Sequence, residues 1–330
     1  MTAPANTPIA QRIFLAMGTR VSVTLACSDG QRPEAAEAAL NEIESLISDF
    51  GRNAWAWGSG ALGAFNRELL AGRVATLPAT LQSLFNRAWQ LRERCGGLYE
   101  PRIGALVRLW GFADVEQPGS APPAPARIAA LLAALRAAPN YDGGATYGPA
   151  PDIAWDFGGI GKGHIVDLAL ARLHAAGFSD AMVDAGGNLA ARGRRGERPW
   201  HVGIRDPRVP AESQLLLASL DINDETVNTH GDDQRGFDFQ GRRYAHILDP
   251  RSGEPAQGLR ALTVVHADGC RAEAEGAALF VAGAEQWPTL ARQLGLDQVL
   301  AVASDGRIQA TMALAARLLP QREIAIEIVD

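Results

Sequence analysis

The sequence predicts an α+β fold in which antiparallel sheets pack against helices. Three observations predict it. Amphipathic helices dominate the first half of the chain, short strands separated by turns dominate the second half, and two helices interrupt those strands between groups. Strands that follow one another directly pair antiparallel, and helices inserted between such groups cover a sheet face. At 330 residues, 47% hydrophobic and 21% charged, the chain can bury a large core. It is read as a single domain, 1–330, divisible into two lobes at about residue 150.

The elements follow in order. Arg12–Ala26 is rich in branched and apolar residues and predicts a strand pair or one bent strand. Pro33–Phe50 predicts an amphipathic helix, with Pro33 at its start and Ala36, Leu40, Ile43, Ile47 and Phe50 at helical spacing. Gly51–Gly63 is rich in glycine and tryptophan and reads as a loop. Pro78–Cys95 predicts a second helix, with Leu81, Leu84, Phe85, Ala88 and Leu91 on one face. Gln117–Pro125 reads as a loop and Ala126–Ala138 as an alanine–leucine helix. In the second half, strands are predicted at Ile153–Phe157, Ala181–Asp184, Trp200–Ile204, Leu215–Ile222, Phe237–Phe239, Tyr244–Leu248 and Leu262–His266. The interrupting helices are Lys162–Ala176 and Arg271–Ala282, and the segment from Phe237 to Tyr244 reads as a hairpin.

Composition narrows the function. The net charge of −6 argues against a general nucleic-acid surface. Arg192, Arg194, Arg195 and Arg198 cluster around Gly193 and Gly196, as at a solvated hairpin tip. Three widely separated cysteines, with no CxxC, suggest neither a disulfide framework nor a cysteine zinc site. No HxH or HExxH spacing suggests a histidine zinc site. No signal peptide is apparent in MTAPANTPIAQRIF, and no apolar run approaches a membrane span, so a cytoplasmic location is expected.

Three glycine-rich segments stand out. Gly58-Ser-Gly-Ala-Leu-Gly63 has dinucleotide-binding spacing but lacks the flanking strand and the later acidic residue, so it reads as a flexible loop. Asp184-Ala-Gly-Gly-Asn188 follows a short strand and fits either a structural bend or a ligand contact. The segment Asp156-Phe-Gly-Gly-Ile-Gly-Lys-Gly-His-Ile-Val-Asp167 holds Lys162, the one lysine beside thirty arginines. Its spacing fails the phosphate-binding P-loop, which needs glycine at 156 and Ser or Thr at 163. It reads instead as a strand end, a glycine turn and a helix N-terminus, whose N–H groups favour an anion. His246 alternates with Tyr244 and Leu248, which places all three on one sheet face, where spacing alone leaves it a core histidine. His230 lies in a segment that reads as a polar loop.

Taken in order, seven segments resemble the ApbE family of FAD:protein FMN transferases. They are Met17-Gly-Thr19, Tyr99–Gly104 with Leu109–Phe112, Asp156–Asp167, Ala185–Asn188, Gly203–Pro207, Thr229–Arg235 and His246–Pro250. The resemblance implies an ApbE-like, T-fold-like architecture. It also implies that FAD is cleaved at its pyrophosphate and that FMN is joined to a Thr or Ser hydroxyl of an acceptor protein, with release of AMP and help from magnesium. By the resemblance, His246 is the catalytic base. Met17, Phe50, Glu100, Pro101, Arg102, Asp156, Lys162 and Ile247 lie at the flavin nucleotide. The Gly159 carbonyl and Glu273 hold the metal. The family's Asp and Thr metal pair is Glu273 and Ala277 here, and its Ser is His230, so weak magnesium binding is expected. These departures keep two further readings open, a non-catalytic FAD-binding or accessory protein and an FAD pyrophosphatase.

Overall fold

The computed structural model describes residues 7–28, 31–113, 119–210, 213, 215–233 and 235–329. The start of MTAPANTPIAQRIF and the start of the Gln117–Pro125 loop lie outside the described residues.

A hairpin opens the chain, β1 (Ile9–Ala16) against β2 (Thr19–Ala26). Its turn is Met17-Gly18, with φ of 52° and 69°, the left-handed pair that matches strand twist. Helix α1 (Pro33–Asn53) buries Ala36, Ala39, Leu40, Ile43 and Ile47, as its spacing predicts. There follow α2 (Ala61–Leu70), β3 (Ala75–Thr76), α3 (Gln82–Arg94), α4 (Gly104–Leu109), α5 (Pro125–Ala137) and β4 (Thr146–Tyr147). The predicted loop Gly51–Gly63 thus gives its ends to α1 and α2. Its glycines serve close packing rather than flexibility. A Cβ at Gly60 would stand 2.1 Å from the Arg52 carbonyl oxygen, and one at Gly63 2.0 Å from that of Gly58.

The second half runs α6 (Gly161–Ala175), β5 (Ala181–Ala185), β6 (Asn188–Arg192), β7 (Trp200–Arg205), β8 (Leu216–Ile222), β9 (Glu225–Gly231), β10 (Gly236–Phe239) and β11 (Arg242–Ala245). It continues with β12 (Leu259–His266), α7 (Gly269–Ala282), α8 (Trp287–Leu294), β13 (Val299–Ala303), β14 (Ile308–Thr311), α9 (Met312–Ala315), β15 (Leu319–Pro320) and β16 (Glu327–Val329). The main sheet has the order β1-β2-β5-β6-β9-β12-β13-β14-β16. Its neighbours pair antiparallel except β14 with β16. Alternation along the strands sorts the layers. Leu262 and Val264 of β12 join the core that contains α7, whereas Val265 joins the core of β7 and β8. The β15-β8-β7 sheet therefore packs on the face opposite α7. Helices α1 and α6 close the first strands through Leu40, Ile43, Ile165 and Leu170 against Val21, Val23 and Val183.

Three expectations are corrected. Ile153–Phe157 is not a strand: it makes only one bridge, Ile103↔Ala154. The Asn66 side chain takes the place of a neighbouring strand, accepting from Trp155 N at 2.8 Å and donating to Trp155 O at 2.8 Å. The strand expected at Tyr244–Leu248 ends at Ala245, because Asp249-Pro250 turns the chain and Leu248 bridges Pro255. His230 lies not in a polar loop but on β9, between β6 and β12. Its polar strand neighbours Thr226 and Asn228 are buried, so the segment's polarity marks an interior seam and not a solvated one.

Candidate functional site

Several chain segments converge where α6 begins. The Asp156 N–H donates to the Pro101 carbonyl at 2.7 Å, which ties the glycine turn to the Tyr99–Arg102 segment. The Asp156 carboxylate in turn accepts from Gly158 N at 2.7 Å. Burial raises its pKa, against the opposing pull of that N–H and of Arg235. Gly159 lies against Tyr99, whose ring carbon would be 3.2 Å from a Cβ at 159. Lys162 follows in the first turn of α6, half-buried, where the helix N-terminus adds its partial positive charge.

Gly163 has a structural reason. A Cβ there would stand 2.2 Å from the Gly269 carbonyl oxygen, so α6 and α7 cross with backbones nearly touching. The crossing brings Glu273 of α7 under the turn. Its carboxylate accepts from Gly163 N and from Asn188 Nδ2, each at 2.8 Å. It is 2% exposed. Burial pushes its pKa up to about 7, opposed by Lys162 and by those two donors.

Two imidazoles lie within electrostatic reach of Lys162. His246 donates its backbone N–H to the Arg235 carbonyl at 3.2 Å, and its Nδ1 is buried without a protein partner. Burial lowers its pKa to about 4, helped by Arg235 and Lys162. His230 lies against α7, with Nε2 also buried; the Ala272 and Glu273 carbonyls lie near the ring, but none makes a well-formed hydrogen bond to Nε2. Burial lowers it to about 3, helped by Lys162 and His246. Tyr99 Oη and both side-chain polar atoms of Asn228 are likewise unpartnered. Buried polar atoms ordinarily have partners, so this lining suits a polar ligand or ordered water.

A third wall is aromatic and sulfur-bearing. The Phe50 ring lies 5.7 Å from that of His164 and beside Gly161. Met17 reaches over Gly51, where a Cβ would stand 3.0 Å from Met17 Cγ. Across the same hairpin turn, Gly18 adjoins the Arg235 guanidinium.

The structure thus gathers Met17, Phe50, Asp156, Gly159, Lys162, His246 and Glu273 into one region. Ile247, half-buried, adjoins His246 and accepts from Ala256 N at 2.8 Å. Pro101 contributes through its carbonyl. Glu100 and Arg102, expected at the flavin nucleotide, flank Pro101 in the turn tied to Asp156. They form a buried pair, 6% and 3% exposed. Glu100 accepts from Arg102 Nε at 2.8 Å and Arg92 Nε at 2.6 Å, while Arg102 also donates to the Pro139 carbonyl at 3.0 Å. Burial raises the Glu100 carboxyl, but Arg102 and Arg92 outweigh it and hold it below the usual range. With their polar ends engaged inside the protein, these two position the turn that carries Pro101. Sequence reasoning gave no role to Tyr99, Asn188, Asn228 or Arg235. Tyr99, Asn188 and Arg235 stand at the ends of segments it singled out, and Asn228 sits beside one.

A separate cavity of about 740 Å³ near Arg208, Arg307 and Arg322 offers no comparable chemistry. Its arginines are already paired, with Asp206, Asp305 and Glu285.

The sequence model of the ApbE family matches residues 17–300. An FAD:protein FMN transferase of Rhodobacter capsulatus is 34% identical over 320 residues, which is 96% of this chain and 60% of that protein's length. One of Treponema pallidum is 31% identical over 310 residues, or 87% of this chain and 83% of the relative. The apo structure of the flavinyl transferase ApbE of Pseudomonas stutzeri superposes with a TM-score of 0.80 at 27% identity, covering 96% of this chain and 98% of that one.

Proposed function

This chain belongs to the ApbE family, and on that premise we propose that it transfers FMN from FAD to an acceptor protein. In the proposed step, a Thr or Ser hydroxyl of the acceptor attacks the phosphorus on the flavin side of the pyrophosphate. The bond from that phosphorus to the bridging oxygen breaks and AMP leaves. The hydroxyl proton passes to the imidazole of His246. The observation that carries the reading is the buried, unpartnered Nδ1 of His246 with Lys162 and Arg235 as neighbouring cations. Phosphoryl transfer depends on positioning and charge stabilisation more than on covalent chemistry. Two cations and a helix N-terminus supply the second. An imidazole lowered to about 4 is neutral across the physiological range and so is ready to accept a proton. A bound pyrophosphate, being anionic, would raise its basicity. In this reading Phe50, His164 and Met17 pack against the isoalloxazine ring, supported by the closeness of Phe50 to His164 and of Met17 to Gly51.

Magnesium is the part of the resemblance that these residues match poorly. The ion needs near-octahedral oxygen ligands. Glu273 already accepts two N–H bonds, and Ala277 brings no oxygen. No group of three His, Cys, Asp or Glu side chains suited to a metal occurs among the described residues. No step is therefore routed through it.

The test is incubation with FAD, with and without a threonine-bearing acceptor, reading AMP and protein-bound flavin. Acceptor-dependent AMP release with flavin on the acceptor supports transfer. AMP and free FMN without acceptor would make the chain a pyrophosphatase, and bound FAD with no AMP would make it a binder. No helix among the described residues is long and apolar enough to cross a membrane.

A further inference from the structure

Beside Glu273, one imidazole is fitted to one glycine. An ideal Cβ at Gly276 would stand 2.7 Å from His230 Nε2, 2.9 Å from His230 Cδ2 and 3.2 Å from Val264 Cγ2. Real side chains do not approach so closely, so the ring and any residue larger than glycine at 276 exclude each other. The carbonyls of Ala272 and Glu273 also face the ring. His230 therefore lies across the turn of α7 that runs from Glu273 to Gly276, with Ala277 next in line. This is the turn that presents Glu273 to Lys162.

We propose that the His230 imidazole takes up the space an oxygen-seeking cation such as magnesium would need beside Glu273, and that Lys162 and Arg235 alone offset the charge of a bound pyrophosphate. The proposal deepens the flavin-nucleotide reading and rests on it. Three further observations support it. Glu273 has one N–H donor on each oxygen at 2.8 Å, so its charge is partly stabilised without a cation, although each oxygen keeps a further lone pair. A neutral imidazole suits zinc or copper, whereas magnesium takes oxygen. Finally, the Lys162 ammonium bears on His230, His246 and Glu273 together, and Arg235 bears on His246 and Asp156. A divalent ion placed among them would meet like charge on more than one side.

Two measurements on the full chain test this. The first is a manganese(II) titration followed by electron paramagnetic resonance, which reads metal binding without any flavin. Wild type should show no stoichiometric site, whereas the combined change Glu273→Asp, His230→Ser, Gly276→Ser and Ala277→Thr should gain one. Should that variant fail to fold, His230→Ala alone opens the same space and should bind manganese more tightly than wild type. A stoichiometric wild-type site abolished by Glu273→Gln overturns the proposal. The second is FAD affinity in chelator and in magnesium, which should agree within about twofold, because the cations that meet the phosphates are side chains. A loss of about tenfold or more in chelator overturns the proposal while leaving the flavin reading intact. Failure to bind FAD in either buffer overturns the flavin reading, and the proposal with it.

Discussion

Replacing Gly276 with alanine should be costly only while His230 is present. The added methyl would come within 2.7 Å of Nε2 and 2.9 Å of Cδ2, with Val264 Cγ2 at 3.2 Å on another side. Favourable contacts between carbon atoms begin near about 3.5 Å, so the ring must shift by roughly 1 Å in a packed seam. Overpacking of this kind costs about 1–3 kcal/mol. Position 276 is interior to α7, where replacing glycine by alanine otherwise gains about 1 kcal/mol. The net change in wild type is a loss of about 0–2 kcal/mol, but in a His230→Ala background it becomes a gain of about 1 kcal/mol. The coupling is therefore about 1–3 kcal/mol. Urea unfolding of wild type, both single variants and the double variant measures it, provided the slope with denaturant stays constant across the four. Effects that add to within about 0.5 kcal/mol would mean that the ring does not rest on the glycine, and the assignment of His230 to the cation's space would fall.

Acid stability should report the two imidazoles. Their folded pKa values, about 3 for His230 and about 4 for His246, lie below the ordinary 6.5. The stability they confer is therefore present above pH 6.5 and is lost as pH falls through that window. Glu273, raised to about 7, works in the opposite sense and gains as pH falls from 7 toward 4.5. A His230→Ala, His246→Ala variant should thus narrow its stability gap to wild type by about 2–2.5 kcal/mol for each ring, about 4–5 kcal/mol together, between pH 7 and 4.5, measured by urea midpoints; a gap that stays constant contradicts the burial of these rings. Lys162→Arg keeps the charge but replaces a compact ammonium with a broad fork, and should weaken FAD binding by about tenfold in a fluorescence titration. Unchanged affinity would mean that the lone lysine has no steric role.

Much of the fold was legible because periodicity reports burial directly. Helix α1 and the strands from Ala181 and Trp200 lie where their spacing placed them. The failures share a cause: the partner of a segment was another part of the fold, not its own neighbours. Asn66 satisfies the backbone of Trp155, so an apolar run that reads as a strand never joins a sheet. Thr226, Asn228 and His230 look solvated by type, yet they line the interior under α7. Gly163 lies in a segment that reads as an anion-favouring helix N-terminus, but it is required as glycine by a helix crossing. At the site, Lys162 was found through its rarity and Asp156 and His246 through the resemblance. The pairing of Glu100 with Arg102 was not visible, because two residues of opposite charge in a turn carry no mark of their burial. Nor was the fit of His230 to Gly276, which are 46 positions apart in the sequence.

The proton acceptor tests the account most directly. Wild type and His246→Ala should be compared for flavin transfer from FAD to a threonine-bearing acceptor, with FAD affinity measured in parallel and His230→Ala run beside them. The account predicts that His246→Ala lowers transfer by about 10²–10⁴-fold, the usual range for loss of a general base, with FAD affinity little changed. Transfer at the wild-type rate by His246→Ala, together with its loss in His230→Ala, would contradict the account and move the base to the other imidazole.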